Sequence, residues 1–295
     1  MQAEKEFHAA KDLESQLIAL NKMISHAPSH KGAENLRQQL TTRRKKLETQ
    51  IEKKKKVGKS TQTGIKKLDM QAVIVGKTNS GKSSLLKILT NAQPKISDNK
   101  FATKQPLIGM MPYLDTQIQI IEIPAIESEE YDKGVVYTAD TVLILIENFE
   151  QLKEIENKLK TQGKKIIVFN KIDLLSSQEK RKISAQLQSK KYNFILVSCI
   201  PYYSENNVEN LKDKIFESFD ILRVFTKEPG KEKSKKPMIM KPHSTVSDVA
   251  EKILKGLSKK IKETRIWGPS SKFGGQIVGL NHKLKDMDVV EFKTK

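Results

Sequence analysis

The chain has 295 residues, with 54 Lys and Arg against 35 Asp and Glu, a formal net charge of +19 and a single cysteine. This length predicts two or three domains and a sizeable core, while one cysteine excludes an intrachain disulfide and points to a reducing, cytoplasmic setting. No apolar run approaches the roughly 20 residues of a transmembrane helix, the N-terminus lacks a signal peptide's apolar stretch, and the positive excess predicts a polyanionic partner: RNA, a ribosome or an acidic membrane surface.

Residues 1–67 predict an N-terminal basic helical hairpin. Leu13, Leu17, Leu20 and Ile24 share one helical face, as do Leu36, Leu40, Leu47 and Ile51, and the breaker cluster Ala27-Pro28-Ser29-His30-Lys31-Gly32 separates them. The second helix carries Arg43, Arg44, Lys45 and Lys46, then Lys53, Lys54, Lys55 and Lys56, with Lys59, Lys66 and Lys67 beyond. Like charges four residues apart disfavour an isolated helix, so this density predicts a counter-charged surface; a solvated coiled-coil face is the alternative. Without interleaved aromatics, contacts to backbone phosphates are expected rather than base reading.

Residues 68–220 alternate strands and helices in a doubly wound α/β pattern, which puts ligand loops at the strand C-termini. The apolar run Ala72-Val73-Ile74-Val75 leads into Gly76-Lys77-Thr78-Asn79-Ser80-Gly81-Lys82-Ser83, and Ser84 to Leu89 continue as a helix. This is GxxxxGK[ST] between strand and helix, the P-loop in its proper context. Its N–H groups and the helix N-terminus form an anion cradle, Lys82 can reach β- and γ-phosphates, and the Ser83 hydroxyl can ligate Mg²⁺. Strands are also expected at Ile118–Ile123 and Thr141–Ile146, with a hairpin turning near Asp115-Thr116 and one antiparallel edge strand. The strand Lys164–Phe169 ends in Asn170-Lys171-Ile172-Asp173. Asp173 can accept from guanine N1–H and N2–H₂, a donor pair adenine lacks. Lys171 would lie along the base, and Asn170 would tie this loop to the P-loop. Phe194–Cys199 reads as a further strand ending in Ser198-Cys199, where the Cys199 N–H would meet guanine O6.

Residues 221–295 change character. Strands are predicted at Leu222–Phe225, Pro237–Lys241, around Ile266-Trp267-Gly268, at Gln276–Gly279 and at Val289–Phe292. A helix starting near Ser244-Thr245 would carry Val249, Ile253, Leu257 and Ile261 on one face. The module has the size of a ubiquitin-like β-grasp fold.

The whole order resembles the Obg/DRG-type (developmentally regulated GTP-binding) GTPases. His30-Lys31-Gly32-Ala33-Glu34 is similar to the family's HKGTE segment, Phe101-Ala102-Thr103-Lys104-Gln105-Pro106 to its switch I, and Leu222 through Trp267-Gly268 and His282 to Val290 to its TGS domain. The resemblance implies a P-loop GTPase domain between the basic hairpin and a C-terminal TGS domain. It also implies GTP and GDP as ligands, Mg²⁺ as cofactor, ribosome or rRNA docking through the hairpin and TGS domain, and a stabilising partner protein. On the same grounds Thr103 is expected as the switch I Mg²⁺ ligand, and Lys82 and Thr103 as the catalytic pair.

The sequence departs from the family in two places. The inserted domain ahead of the NKxD strand is absent, since Ile146 leads through one short helix to Lys164. The switch II element, DxPG in the family, reads Glu122-Ile123-Pro124-Ala125. Glu122 can hold Mg²⁺ through water, but its extra methylene shifts the carboxylate. Ala125 replaces the Gly whose N–H meets the γ-phosphate and resists a positive φ. The following Ser128–Gly134 is expected to be a mobile polar loop. Ile126 stands where a water-positioning Gln would be, and Asn79 sits where related GTPases ligate K⁺. Three readings remain: a GTPase that hydrolyses GTP slowly in translation, a guanine-nucleotide-binding scaffold that does not hydrolyse, and an RNA-binding protein whose P-loop is structural.

Overall fold

A computed structural model describes residues 6–7, 10, 13–28, 31–58, 65–92, 105–200, 203 and 207–294; side chains 14, 31 and 50–58 are excluded. The chain divides into two compact units, 1–66 and 67–295. In the first, α1 (Leu13–His26) and α2 (Glu34–Gly58) are joined through a 3₁₀ turn at Lys31–Ala33. They bury Phe7, Ala19, Leu20, Leu40 and Leu47, with Leu13, Leu17 and Ile24 packed alongside. Leu36, expected on the buried face, is 49% exposed. It falls in the first turn of α2. The side chains of Ile51 and Lys53–Lys56, and all of Lys59, lie outside the described residues.

The second unit holds two sheets. The first contains β1 (Gln71–Gly76), β2 (Leu107–Tyr113), β3 (Thr116–Glu122), β4 (Thr141–Ile146), β5 (Lys164–Phe169) and β6 (Phe194–Leu196), in the order β2-β3-β1-β4-β5-β6. All pairs are parallel except β2–β3. Every residue of β1 and of β4 is buried, which is why these strands are continuous apolar runs rather than alternating ones. The β2–β3 hairpin turns at Leu114 (φ 44°) and Asp115 (φ 61°), two left-handed residues whose twist suits a tight connection.

Among the described residues five helices accompany this sheet: α3 (Lys82–Leu89), α4 (Lys133–Thr138), α5 (Phe149–Lys158), α6 (Ser177–Ser189) and α7 (Val208–Glu217). Side-chain caps start three of them: Asp132 for α4, Asn148 for α5, and a Ser176/Glu179 capping box for α6. The polar stretch expected to form a mobile loop therefore closes into turns and a capped helix at 133. Helix α3 packs Leu85, Leu86 and Leu89 into a core shared with β1, β3, β4 and α7.

From β1 the chain goes to β3 on one side and to β4 on the other, so the end of β1 is a topological switch point. In open α/β sheets this is where a crevice forms outside the strand ends. Of the predicted site segments, the P-loop follows β1, Asn170–Asp173 follows β5 and Ser198-Cys199 follows β6, while Glu122 ends β3 and Thr103 lies outside the described residues.

The second sheet contains β7 (Leu222–Lys227), β8 (Met238–Met240), β9 (Ile261–Trp267), β10 (Gln276–Ile277) and β11 (Val289–Thr294), in the order β10-β9-β11-β7-β8. Its central pair, β11 and β7, is parallel, and its other pairs are antiparallel. Helix α8 (Val246–Ile253), started by a Thr245/Asp248 capping box, buries Val246 and Val249 with Val224, Met240, Ile266, Leu284 and Val290. One helix on a five-stranded mixed sheet is the β-grasp arrangement. The predicted helix was too long. It ends at Ile253, which is 46% exposed, and Gly256 (φ 83°) reverses the chain. Leu257 lies in a 3₁₀ turn and Ile261 opens β9. The 3.6-residue spacing ran on by coincidence across a left-handed glycine.

Candidate functional site

The P-loop wraps from β1 into α3 through two left-handed residues, Asn79 (φ 61°) and Gly81 (φ 91°). A Cβ on Gly76 would stand 2.8 Å from the Leu145 carbonyl oxygen and 2.6 Å from Ser80 Oγ. Gly76 therefore lets the loop leave the sheet between β1 and β4. The Lys77 carbonyl accepts from both Ser80 Oγ (2.9 Å) and Lys82 Nζ (2.8 Å). Lys82 is only 7% exposed. Burial pushes its ammonium below the ordinary lysine value, and the charges of Glu122 and Glu127 oppose that shift. The first N–H groups of α3 have no intrahelical partner, so an anion held here meets donors, helix dipole and ammonium together.

Ser83 Oγ donates to Glu122 Oε1 at 2.6 Å. Glu122, 1% exposed, stands at the end of β3, next to β1. Its extra methylene thus carries the carboxylate onto the serine itself. A hydroxyl and a carboxylate converging at the start of α3 are the hard oxygen donors that Mg²⁺ takes, so these residues fit that ion. Ala125 is buried and is not among the residues with positive φ. The expected conflict between its Cβ and a left-handed backbone therefore does not arise. The Ile126 N–H donates to the Gly76 carbonyl (3.3 Å), so the segment after β3 lies against the P-loop.

At the far side of the crevice, Asn170 follows β5, is 2% exposed, and donates from Nδ2 to the Ser80 carbonyl at 2.9 Å. The predicted tie between the two loops is thus present. A Cβ on Gly81 would collide with that same Nδ2 atom, so the glycine of one motif makes room for the asparagine of the other. Lys171 (φ 60°) turns the chain and pairs with Glu147 Oε1 at 2.6 Å. Asp173, in the 3₁₀ turn Ile172–Leu174, accepts from Ser198 Oγ at 2.5 Å.

The strand β6 ends at Leu196 rather than reaching Cys199, although the Val197 N–H still donates to the Phe169 carbonyl (2.8 Å); on the outer side Asn207 Nδ2 donates to the Leu196 carbonyl (2.9 Å). Burial pushes the Cys199 thiol up to about 12, with a hydrogen bond from Asn170 opposing. The thiol therefore stays protonated and packs against the core instead of acting as a nucleophile.

Comparison with known proteins adds two domain matches in chain order. The model described as 50S ribosome-binding GTPase matches residues 71–171, and the TGS domain model matches 222–294. An uncharacterized GTP-binding protein of Methanocaldococcus jannaschii is 23% identical, with 96% of this chain and 93% of its own length aligned. The chain pairs a GTPase-domain match with a TGS-domain match, the domain order of the Obg/DRG-type GTP-binding proteins it resembles. Developmentally-regulated GTP-binding protein 1 of Xenopus laevis is 24% identical across 77% of this chain and 83% of its own. GTPase Obg of Pelagibacter ubique is 30% identical across 48% and 49%. The archaeal alignment runs over 367 positions against the 295 residues here, so that relative has segments with no counterpart in this chain. Between β4 and β5 the chain has only α5.

Of the expected site residues, the P-loop, Glu122 and Ala125 gather at one end of the crevice. Asn170, Lys171, Asp173, Ser198 and Cys199 gather at the other, and Ser84 lies in the first turn of α3. Thr103, with Phe101, Ala102 and Lys104, lies outside the described residues. Two residues of this site escaped the sequence reading. Glu147, one residue past β4, holds Lys171, and Glu127, two past Ala125, holds the P-loop. Neither belongs to a motif, and only their position directly after a strand or switch segment could have drawn attention.

Proposed function

We propose that this protein binds GTP and GDP, hydrolyses GTP slowly to GDP and phosphate, and acts on ribosomes or rRNA in the cytoplasm, with a stabilising protein partner. One observation carries the nucleotide reading: Asn170 bonded to the Ser80 carbonyl, with Asp173 held by Ser198, sets a guanine-reading carboxylate at a fixed span from the phosphate cradle. Asp173 would accept from guanine N1–H and N2–H₂, the Lys171 stem would cover the base, and the Cys199 N–H would meet O6. Gly76 to Ser84 would surround the phosphates, with Ala125 closing on the γ-phosphate. Lys82 would exchange the Lys77 carbonyl for phosphate oxygens and neutralise developing charge, which is most of what phosphoryl transfer asks of a protein. Mg²⁺, held by Ser83, by Glu122 through water and by Thr103, would supply further positive charge at the phosphates. K⁺ beside Asn79 would do the same on the opposite side. With Ile126 in place of Gln, no side chain there orients water, which supports slow turnover.

A non-hydrolysing scaffold is the second reading, favoured by the direct Ser83–Glu122 bond. The purified protein is expected to hydrolyse GTP faster in KCl than in NaCl, with Lys82→Ala as the blank. Turnover equal to the blank while GTP and GDP still bind would favour the scaffold.

Ribosome or RNA docking is supported by the +19 charge, by the description of the matching GTPase family and by two basic faces. On α2, Arg43 stacks over Phe7 beside Arg44, Lys45 and Lys46. On the TGS sheet, Lys227 Nζ lies 4.5 Å from the centre of the Trp267 ring, and Lys233 Nζ 4.4 Å from that of Phe225. Among the described residues no helix is long and apolar enough to cross a membrane. Replacing Arg43, Arg44, Lys45 and Lys46 by Gln should weaken rRNA binding and flatten its log–log salt slope by about 0.7–0.9 per lost phosphate contact. An unchanged slope would remove this helix from the interface.

A further inference from the structure

The segment after β3 contributes an anion to the phosphate-binding loop. Glu127 Oε2 accepts from the Thr78 N–H (3.2 Å) and from Thr78 Oγ1 (3.4 Å), and Glu127 Oε1 lies 3.7 Å from Lys77 Nζ. The Ile126 N–H on the Gly76 carbonyl fixes the backbone beside it. The same carboxylate also acts on Lys82 through its charge. A loop N–H, a hydroxyl and an ammonium group are what a phosphate looks for, and here they face a carboxylate of the chain itself. The other acidic groups nearby are Glu122, bonded to Ser83, and Glu154 of α5, which pairs with Lys77 at 2.6 Å but makes no bond to Thr78.

We infer that Glu127 is a latch that holds the segment after β3 on the P-loop, is displaced by the terminal phosphate of GTP, and so sets the preference between GDP and GTP. This rests on the guanine-nucleotide reading above. The β-phosphate of GDP sits in the cradle at the start of α3, away from the latch. The γ-phosphate extends between Lys82 and Ala125, two residues from Glu127. Its added negative charge repels the carboxylate and competes for the same donors, so GTP binds against the latch while GDP binds with it. The segment then moves only when the third phosphate is present.

The test is equilibrium binding of GDP and of a non-hydrolysable GTP analogue to the full chain, to Glu127→Gln and to Glu154→Gln, with thermal melts confirming the fold. Glu127→Gln should bind the triphosphate about tenfold more tightly relative to GDP, the scale expected for removing one half-screened like charge. Glu154→Gln should leave the ratio within about twofold, since its carboxylate is farther from the displaced contact. If all three proteins bind both nucleotides with the same ratio, the latch is wrong and the nucleotide reading stands. An equal shift in Glu154→Gln would mean a general charge effect and also overturn it. Binding of neither nucleotide by the wild-type chain would overturn the nucleotide reading itself.

Discussion

Asp173→Asn should weaken GDP binding by about 10³-fold or more and create affinity for xanthosine diphosphate, because a buried polar group facing the wrong partner is rejected on that scale. Ser198 Oγ donates to Asp173 Oδ1, which leaves the other carboxylate oxygen for the base. In the variant the hydroxyl keeps the amide oxygen, and the amide nitrogen faces the base edge. Guanine then presents its own N2–H₂ to an N–H donor, so two donors meet with no acceptor between them. Xanthine has an oxygen at that position and accepts. Paired affinities for guanosine and xanthosine diphosphates decide the matter. A variant that loses guanine without gaining xanthine would mean that Asp173 only braces the loop.

Gly81→Ala should lower nucleotide affinity by about 10²-fold or more, comparable to other losses from displacement of about 1 Å in a preorganised site. Two costs fall on one methyl group. At φ 91° an alanine is strained by about 1–2 kcal/mol. Its Cβ also occupies the place of Asn170 Nδ2, so the asparagine must swing away and give up the Ser80 carbonyl. Both halves of the crevice then lose their mutual reference, although the β1–β3–β4 core is untouched. GDP binding by calorimetry together with a thermal melt separates the two effects. The melt should fall by only a few degrees while binding collapses. Unchanged binding would mean that the two loops are not coupled through this contact.

Much of this architecture was legible because it is written in short contiguous runs. Ala72–Val75, Thr141–Ile146 and Lys164–Phe169 could only be buried strands, and each prediction lies within a residue or so of the observed element. The P-loop and Asn170-Lys171-Ile172-Asp173 were legible for the same reason: their geometry depends on neighbours in the chain. The tie between Asn170 and the P-loop was inferable because the motif itself implies it. Errors came where local pattern and tertiary context part. Leu257 and Ile261 kept helical spacing after the helix had ended at Ile253, and Leu36 kept it in the first turn of α2 yet is half exposed. Ala125 looked like a backbone conflict because a glycine is expected there, yet the chain holds it at an ordinary φ.

By itself, then, the sequence determined the two domain types and pointed to the proposed phosphate cradle and base-reading carboxylate, since each is written as residue types at fixed spacing. Only the tertiary structure decided which carboxylates meet which cations and hydroxyls. Glu122 on Ser83, Glu127 on Thr78 and Lys77, Glu147 on Lys171 and Ser198 on Asp173 join residues 24 to 50 positions apart. Parallel strands bring their ends together at one edge of the sheet only after the crossovers between them have folded. A contact made between two such ends has no period or motif along the chain to announce it.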